Sequence, residues 1–142
     1  MKYLFGYSYI ELLISVSILA IIGVMVTPYM SSFISGNQLR LTEDAFSSMV
    51  KKSQSYAIAN KNNAVWGVCL HGSDIRVYSG SCNAPVIKDD YVIPQSITVS
   101  GLSDFQFSKG RGELSSSEQI IMSSSLDSVT IDISPLGAIV LN

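Results

Sequence analysis

The first third of the chain contains one long apolar segment. Residues 10–26 read IELLISVSILAIIGVMV, in which Glu11 is the single charge. A helix of that length spans roughly 25 Å, and the flanking residues extend it to the ~30 Å of a bilayer core. Lys2 precedes the segment and the next charge after it is Arg40. The positive-inside rule therefore predicts a single-pass membrane helix with its N-terminus in the cytoplasm.

A second helical pattern follows the apolar one. Residues 37–60 repeat apolar positions at three-, four- and seven-residue spacing, with charged residues on the other side. Arg40 and Asp44 have the i,i+4 spacing of a helical ion pair. Pro28 removes one backbone hydrogen bond, so we expect a kink near it in a helix that joins both patterns. The apolar face of the second pattern consists of Leu39, Phe46, Met49, Val50, Tyr56 and Ala57.

After residue 63 the apolar positions alternate with a period of two, which is typical of strands. The amphipathic half of the helix must cover an apolar surface, and this sheet is the candidate for it. The sequence therefore predicts an α+β fold, in which a long N-terminal helix (membrane half plus amphipathic half) packs on a C-terminal antiparallel β-sheet of residues 64–142. The predicted strands are Ala64–Leu70, Ile75–Tyr78, Tyr91–Ile93, Ile97–Leu102, Phe105–Phe107, Gln119–Ser123, Val129–Ser134 and Ala138–Leu141.

Composition narrows the classes of function. Charged residues are 14% of the 142 and the net charge is −2, so there is no general basic surface for nucleic acid. His71 has no nearby partner of the kind that nucleophilic or acid–base catalysis requires. Asp89 and Asp90 are predicted to lie in a solvated loop, because they do not supply the six to eight oxygens of a calcium site. We expect no enzymatic activity, no metal and no cofactor.

Two cysteines, Cys69 and Cys82, flank a predicted strand. Oxidation is allowed if this part of the chain lies outside the cytoplasm, and the even count favours a bridge. Closing a loop of this size would stabilise the fold by about 3 kcal/mol in the chain-entropy model. The alternative is a pair of buried free thiols, and the sequence favours the disulfide.

The residues at the start of the apolar segment carry a specific motif. Residues 5–14 read FGYSYIELLI, which resembles the prepilin motif of type IV pilins and type II secretion pseudopilins: a short basic leader ending in glycine, an aromatic residue, and a glutamate at the head of an apolar helix. Tyr7 stands where phenylalanine is commoner, and many family members have a proline near the depth of Pro28. The resemblance implies cleavage between Gly6 and Tyr7 by a prepilin peptidase, N-methylation of Tyr7, and a role for Glu11 in assembly.

The same resemblance implies a domain organisation and a function. Residues 1–6 would be the leader, residues 7–35 the hydrophobic transmembrane and assembly helix, and residues 36–142 a periplasmic or extracellular globular domain. The protein would be a minor pilin or pseudopilin, stored in the inner membrane and polymerised into a pilus or type II secretion pseudopilus. Its partners would be other subunits, the prepilin peptidase and the inner-membrane assembly platform. A Phe-Gln-Phe strand before a glycine-rich turn, followed by a Pro-Leu-Gly hairpin, resembles the GspH/FimT-like minor pilins.

The alternative function is a DNA-binding or adhesive tip pilin for competence or surface attachment. Some FimT-like pilins present a Gly-Arg-x-Arg turn to DNA phosphates, and the matching residues 110–113 read Gly-Arg-Gly-Glu. Glu113 places a negative charge at the position of the second arginine. Lys109 and Arg111 offer at most two cationic contacts, so we expect little binding of nucleic acid at physiological salt.

Overall fold

The computed structural model describes residues 8–142, except for the side chains of residues 25–32. The predicted leader and the junction between Gly6 and Tyr7 lie outside the described residues. The backbone at Pro28 is helical, but its side chain is among those not described. The described chain has an α+β fold, as the sequence predicts, with antiparallel strands after the helical part.

One long helix, one 3₁₀ turn and eight strands make up the described chain. The predicted strands are all present, although β3 begins four residues earlier than expected. The amphipathic helix, predicted to extend to residue 60, ends at Ile58 because the backbone at Asn60 turns into the left-handed region with φ 48°. The elements are α1 (Tyr9–Ile58), the 3₁₀ turn (Lys61–Asn63), β1 (Trp66–His71), β2 (Asp74–Ser79), β3 (Ile87–Val92), β4 (Thr98–Ser100), β5 (Phe105–Phe107), β6 (Glu118–Ser123), β7 (Ser128–Ile133) and β8 (Ile139–Leu141).

The chain divides into two compact units, and the division falls inside α1. Residues up to Ile34 belong to the first unit and Ser35–Asn142 to the second. The core described below contains α1 residues from Leu39 onward. The helix packing described here is therefore that of the second unit alone.

The strands form two four-stranded antiparallel sheets, where the sequence predicted one. Sheet A has the order β3-β2-β1-β5 and sheet B the order β4-β6-β7-β8. The consecutive strands β4 and β5 lie at the edges of different sheets, so the chain crosses between sheets over residues 101–104. Gly101 permits this crossing: its φ is +77°, and a Cβ there would lie 2.5 Å from the Gln119 carbonyl oxygen.

A single apolar core joins the second part of α1 to both sheets. The predicted helix face is confirmed, because Phe46, Val50 and Ala57 have no exposed surface and Tyr56 packs against the core from its margin. Two hydroxyl residues on the same face are also fully buried, which the apolar pattern did not show. The Thr42 hydroxyl donates to the Gln38 carbonyl oxygen at 2.8 Å. The other hydroxyl residue, Ser53, has no hydrogen-bond partner for its Oγ among the described residues.

Candidate assembly surface

The described side chains of the first unit form an apolar surface that nothing in that unit covers. Exposure of its large apolar residues ranges from 44% for Leu13 to 78% for Tyr9. Consecutive positions are exposed together, so the apolar surface surrounds the helix instead of forming a stripe. A helix that is apolar on all sides is stable only in apolar surroundings. The residues are Tyr9, Ile10, Leu12, Leu13, Ile14, Val16, Ile18, Leu19, Ile21, Ile22, Val24, Phe33 and Ile34.

Among the residues that the structure describes, no helix combines the length and the apolarity that are needed to cross a membrane.

Glu11 lies in the first turn of α1, within this apolar surface. Its backbone N–H donates to the Ser8 carbonyl oxygen at 3.0 Å, and its own carbonyl oxygen accepts from the Ser15 hydroxyl at 2.8 Å. The side chain is exposed, and its carboxylate forms no ion pair with the described residues. The positive end of the helix dipole favours a carboxylate at this position. The structure thus places one carboxylate, without an ion pair among the described residues, on an exposed apolar surface.

The two cysteines are joined in a disulfide that connects β1 to the segment after β2. The Cα atoms of Cys69 and Cys82 are 6.3 Å apart. Both residues are buried, with 1% and 8% of their surface exposed, and they form a small apolar cluster with Tyr78. The bridge therefore holds the loop after β2 against the outer face of sheet A, and the alternative of two free thiols does not apply.

An ion pair that the sequence did not reveal supports this loop. Arg76 in β2 donates from Nε to Asp90 Oδ1 at 2.7 Å and from Nη2 to Asp90 Oδ2 at 3.1 Å. Its Nη1 also donates to the Cys82 carbonyl oxygen at 3.1 Å.

The prediction that Asp89 and Asp90 lie in a loop is wrong, because both residues belong to β3. Asp89 accepts a hydrogen bond from Lys52 of α1 at 2.5 Å. The register of β2 against β3 places Arg76 opposite Asp90. The sequence alone does not show that register, so it could not reveal the ion pair.

The Arg40–Asp44 pair suggested by helical spacing does not form. The structure places both residues on the exposed side of α1, but they are not among the ion pairs within 4.0 Å that the described residues make. Exposed i,i+4 pairs are worth only a few tenths of a kcal/mol in any case. The outer face of α1 in the second unit therefore carries charges that are free to meet another surface.

Asp90→Asn should make the stability of the protein less sensitive to acid. The Arg76 hydrogen bonds, with a smaller contribution from Lys88, hold the pKa of Asp90 below its ordinary value. The unfolded chain therefore takes up this proton first as the pH falls. The stabilisation is complete above the ordinary pKa of about 3.9 and is lost as the pH falls through the lower value of the folded state.

Thermal melting from neutral pH to about pH 2 measures this effect. We expect Asp90→Asn to melt at a lower temperature than the wild type at neutral pH, and the two curves to converge in acid. Asp44→Asn is the control, because it removes an exposed carboxylate without an ion pair. Parallel wild-type and Asp90→Asn curves would show that the pair does not stabilise the fold.

The candidate DNA-contacting residues lie together in the turn after β5, but both have protein partners. Lys109 Nζ donates to the Asn63 carbonyl oxygen at 2.5 Å. Arg111 Nη1 lies 3.8 Å from Glu113 Oε2, with both side chains exposed. The carboxylate of Glu113 therefore lies beside Arg111 in the same turn.

The end of α1 fixes this turn in place. The Gly110 N–H donates to the Ala57 carbonyl oxygen at 2.9 Å. The Gln54 amide donates to the carbonyl oxygens of Gly112 and Leu136, each at 2.9 Å. One glutamine of the helix thus contacts both the turn after β5 and the turn between β7 and β8.

The chemistry of the described residues offers no metal centre. No group of three or more histidine, cysteine, aspartate or glutamate side chains among them could hold a metal ion. His71 is exposed at the end of β1.

Comparisons with known proteins return no match, whether to a family model, to a curated protein or to a solved structure.

Proposed function

We propose that the protein is a structural subunit of the type IV pilin kind, a minor pilin or pseudopilin that polymerises through its N-terminal helix into a pilus or type II secretion pseudopilus. The observation that carries the proposal is the exposed apolar surface of α1, interrupted by the single carboxylate of Glu11 and attached to a compact α+β unit. A subunit that must exchange one apolar environment for another needs such a surface.

The same apolar surface would serve both when the subunit is stored in the membrane and when it assembles into a filament. Burial of a single leucine or isoleucine side chain stabilises by about 1.5–3 kcal/mol, and eleven large side chains are exposed between Tyr9 and Val24. Lipid would cover them before assembly, and helices of neighbouring subunits would cover them in the filament. We place residues 7–35 in the inner membrane as a single pass, with the N-terminus in the cytoplasm.

The second unit fits a location outside the cytoplasm. Its disulfide is of the kind that persists in oxidising compartments. In the proposed arrangement, residues 36–142 form the periplasmic or extracellular domain, and the first part of α1 connects this domain to the filament core. The two sheets and the helix end described above would then form the outer surface of the filament.

The mass of the mature protein tests the proposal directly. Protein purified from the cell envelope should begin at Tyr7 and carry the mass of one added methyl group. Gly6→Val should retain the leader, because a branched side chain obstructs approach to the bond that is cut. Gly36→Ala is the control and should be processed like the wild type, since nothing beyond the adjacent helix backbone lies within 4 Å of a Cβ built at Gly36. A mature N-terminus beyond residue 20 would indicate an ordinary signal peptide and contradict the proposal.

A further inference from the structure

One edge of sheet A is open at strand β5. Phe105–Phe107 pairs with β1 on one side only, and β5 is the last strand of its sheet. A groove of about 550 Å³ lies along the strand, and its opposite wall is the chain that leads into β6. Phe105 and Phe107 are buried in the core, at 5% and 0% exposure, so the groove presents the backbone edge of β5 together with polar side chains and the apolar side chains of Val65 and Leu114. An open edge of this kind accepts an added strand.

The walls of this groove carry excess negative charge. Three carboxylates line it, those of Asp104, Glu113 and Glu118, against one ammonium, that of Lys109. The Lys109 Nζ is already hydrogen-bonded to the Asn63 carbonyl oxygen. Arg111, which does not line the groove, lies 3.8 Å from Glu113 Oε2, so the three carboxylates of the lining still outnumber the cations near them.

Two of the three carboxylates, those of Asp104 and Glu118, are held in place by neutral groups. Asp104 accepts a hydrogen bond from the Tyr78 hydroxyl. Glu118 accepts from the Ser103 hydroxyl at 2.8 Å and from the Ser116 hydroxyl at 3.2 Å. Hydroxyl donors orient a carboxylate without removing its charge, so the anions stay positioned to receive cations.

We propose that the groove beside β5 docks an extended basic segment of a partner protein. The segment adds to β5 as a further strand, with lysine or arginine side chains at alternate positions facing the carboxylates of Asp104, Glu113 and Glu118. Main-chain hydrogen bonds provide affinity in this mode and the side chains provide specificity. A second copy of β5 is a poorer occupant, because it would bring the same three carboxylates into opposition. Nucleic acid would bring phosphates to the same anions.

A synthetic peptide of alternating lysine and threonine is the probe, and its glutamate–threonine counterpart is the control. The full-length protein in a zwitterionic detergent should bind the lysine peptide, and amide exchange at residues 105–107 should slow. The double variant Glu113→Gln/Glu118→Gln should weaken binding by about tenfold or more. The variant Glu43→Gln/Asp44→Asn removes two carboxylates of α1 outside the groove and should bind like the wild type.

Ser115→Lys provides a second test that removes no contact seen in the structure. Ser115 is exposed and lines the groove, so a lysine there adds a competing cation and should also weaken binding of the lysine peptide. The proposal fails if both peptides bind equally, if exchange at β5 is unchanged, or if the groove variants bind like the wild type. It also fails if a DNA oligonucleotide or self-association protects the same amides instead.

Discussion

Glu11→Gln should leave membrane insertion and leader cleavage intact and reduce incorporation into filaments by about a hundredfold or more. Glutamine preserves the shape and length of the side chain but removes its charge. In the proposed filament, Glu11 meets the methylated amine of a neighbouring Tyr7 among packed apolar helices. Loss of one partner leaves the other charge buried and unpaired, which costs about 3–5 kcal/mol. In that filament the pair would act as a registry device, because one axial position neutralises both charges.

Co-purification of the protein with the pilus or pseudopilus fraction measures this effect. Glu43→Gln is the matched control, because it makes the same change on α1 within the second unit and should assemble normally. Normal assembly of Glu11→Gln would show that this residue does not set the register. That result would favour a subunit confined to the filament tip, which has no subunit above it to pair with.

Gly67→Ala should destabilise the second unit by about 2–3 kcal/mol and lower its melting temperature on the order of 10 °C. Gly67 lies in β1 between Tyr78 of β2 and Gln106 of β5. A Cβ at this position would lie 2.7 Å from the Tyr78 hydroxyl oxygen and 2.6 Å from the Phe105 carbonyl oxygen. The tyrosine ring would have to move, and its hydrogen bonds to Asp104 and Gln106 would be lost.

Gly36→Ala is again the matched control. The same substitution in α1 meets nothing beyond the adjacent helix backbone within 4 Å, and alanine is the better helix former by about 0.5–1 kcal/mol. It should therefore leave the melting temperature unchanged or raise it. Equal melting temperatures for Gly67→Ala and the wild type would show that the strands adjust without cost.

Periodicity predicted the elements of the second unit because each buried face repeats along the chain. Phe46, Val50 and Ala57 follow the helical repeat, and Ile131 and Ile133 follow the strand repeat. The pairing of strands could not be predicted in the same way, because a period of two defines the two faces of a strand but not the strands that lie beside it. The division into two sheets depends on the crossing at Gly101. A residue with a Cβ would not fit there, because the Cβ would lie too close to the Gln119 carbonyl oxygen.

The candidate site was predictable where it depends on local sequence. Glu11 could be selected because it is the single charge in an apolar segment, and the two cysteines because their number is even. The ion pair of Arg76 with Asp90 depends on strand register, and the groove at β5 depends on which strand is left at an edge. Both are consequences of tertiary structure and have no local sequence signal.

The hydrogen bonds of Gln54 determine how a mechanical load would enter the second unit. This side chain holds the turn that follows the last strand of sheet A and the turn that joins two strands of sheet B. A pull transmitted along α1 would therefore reach both sheets at the same time. These hydrogen bonds would have to break before either turn could separate from the helix. In the proposed filament, a subunit held by its helix would therefore bear tension through both sheets together.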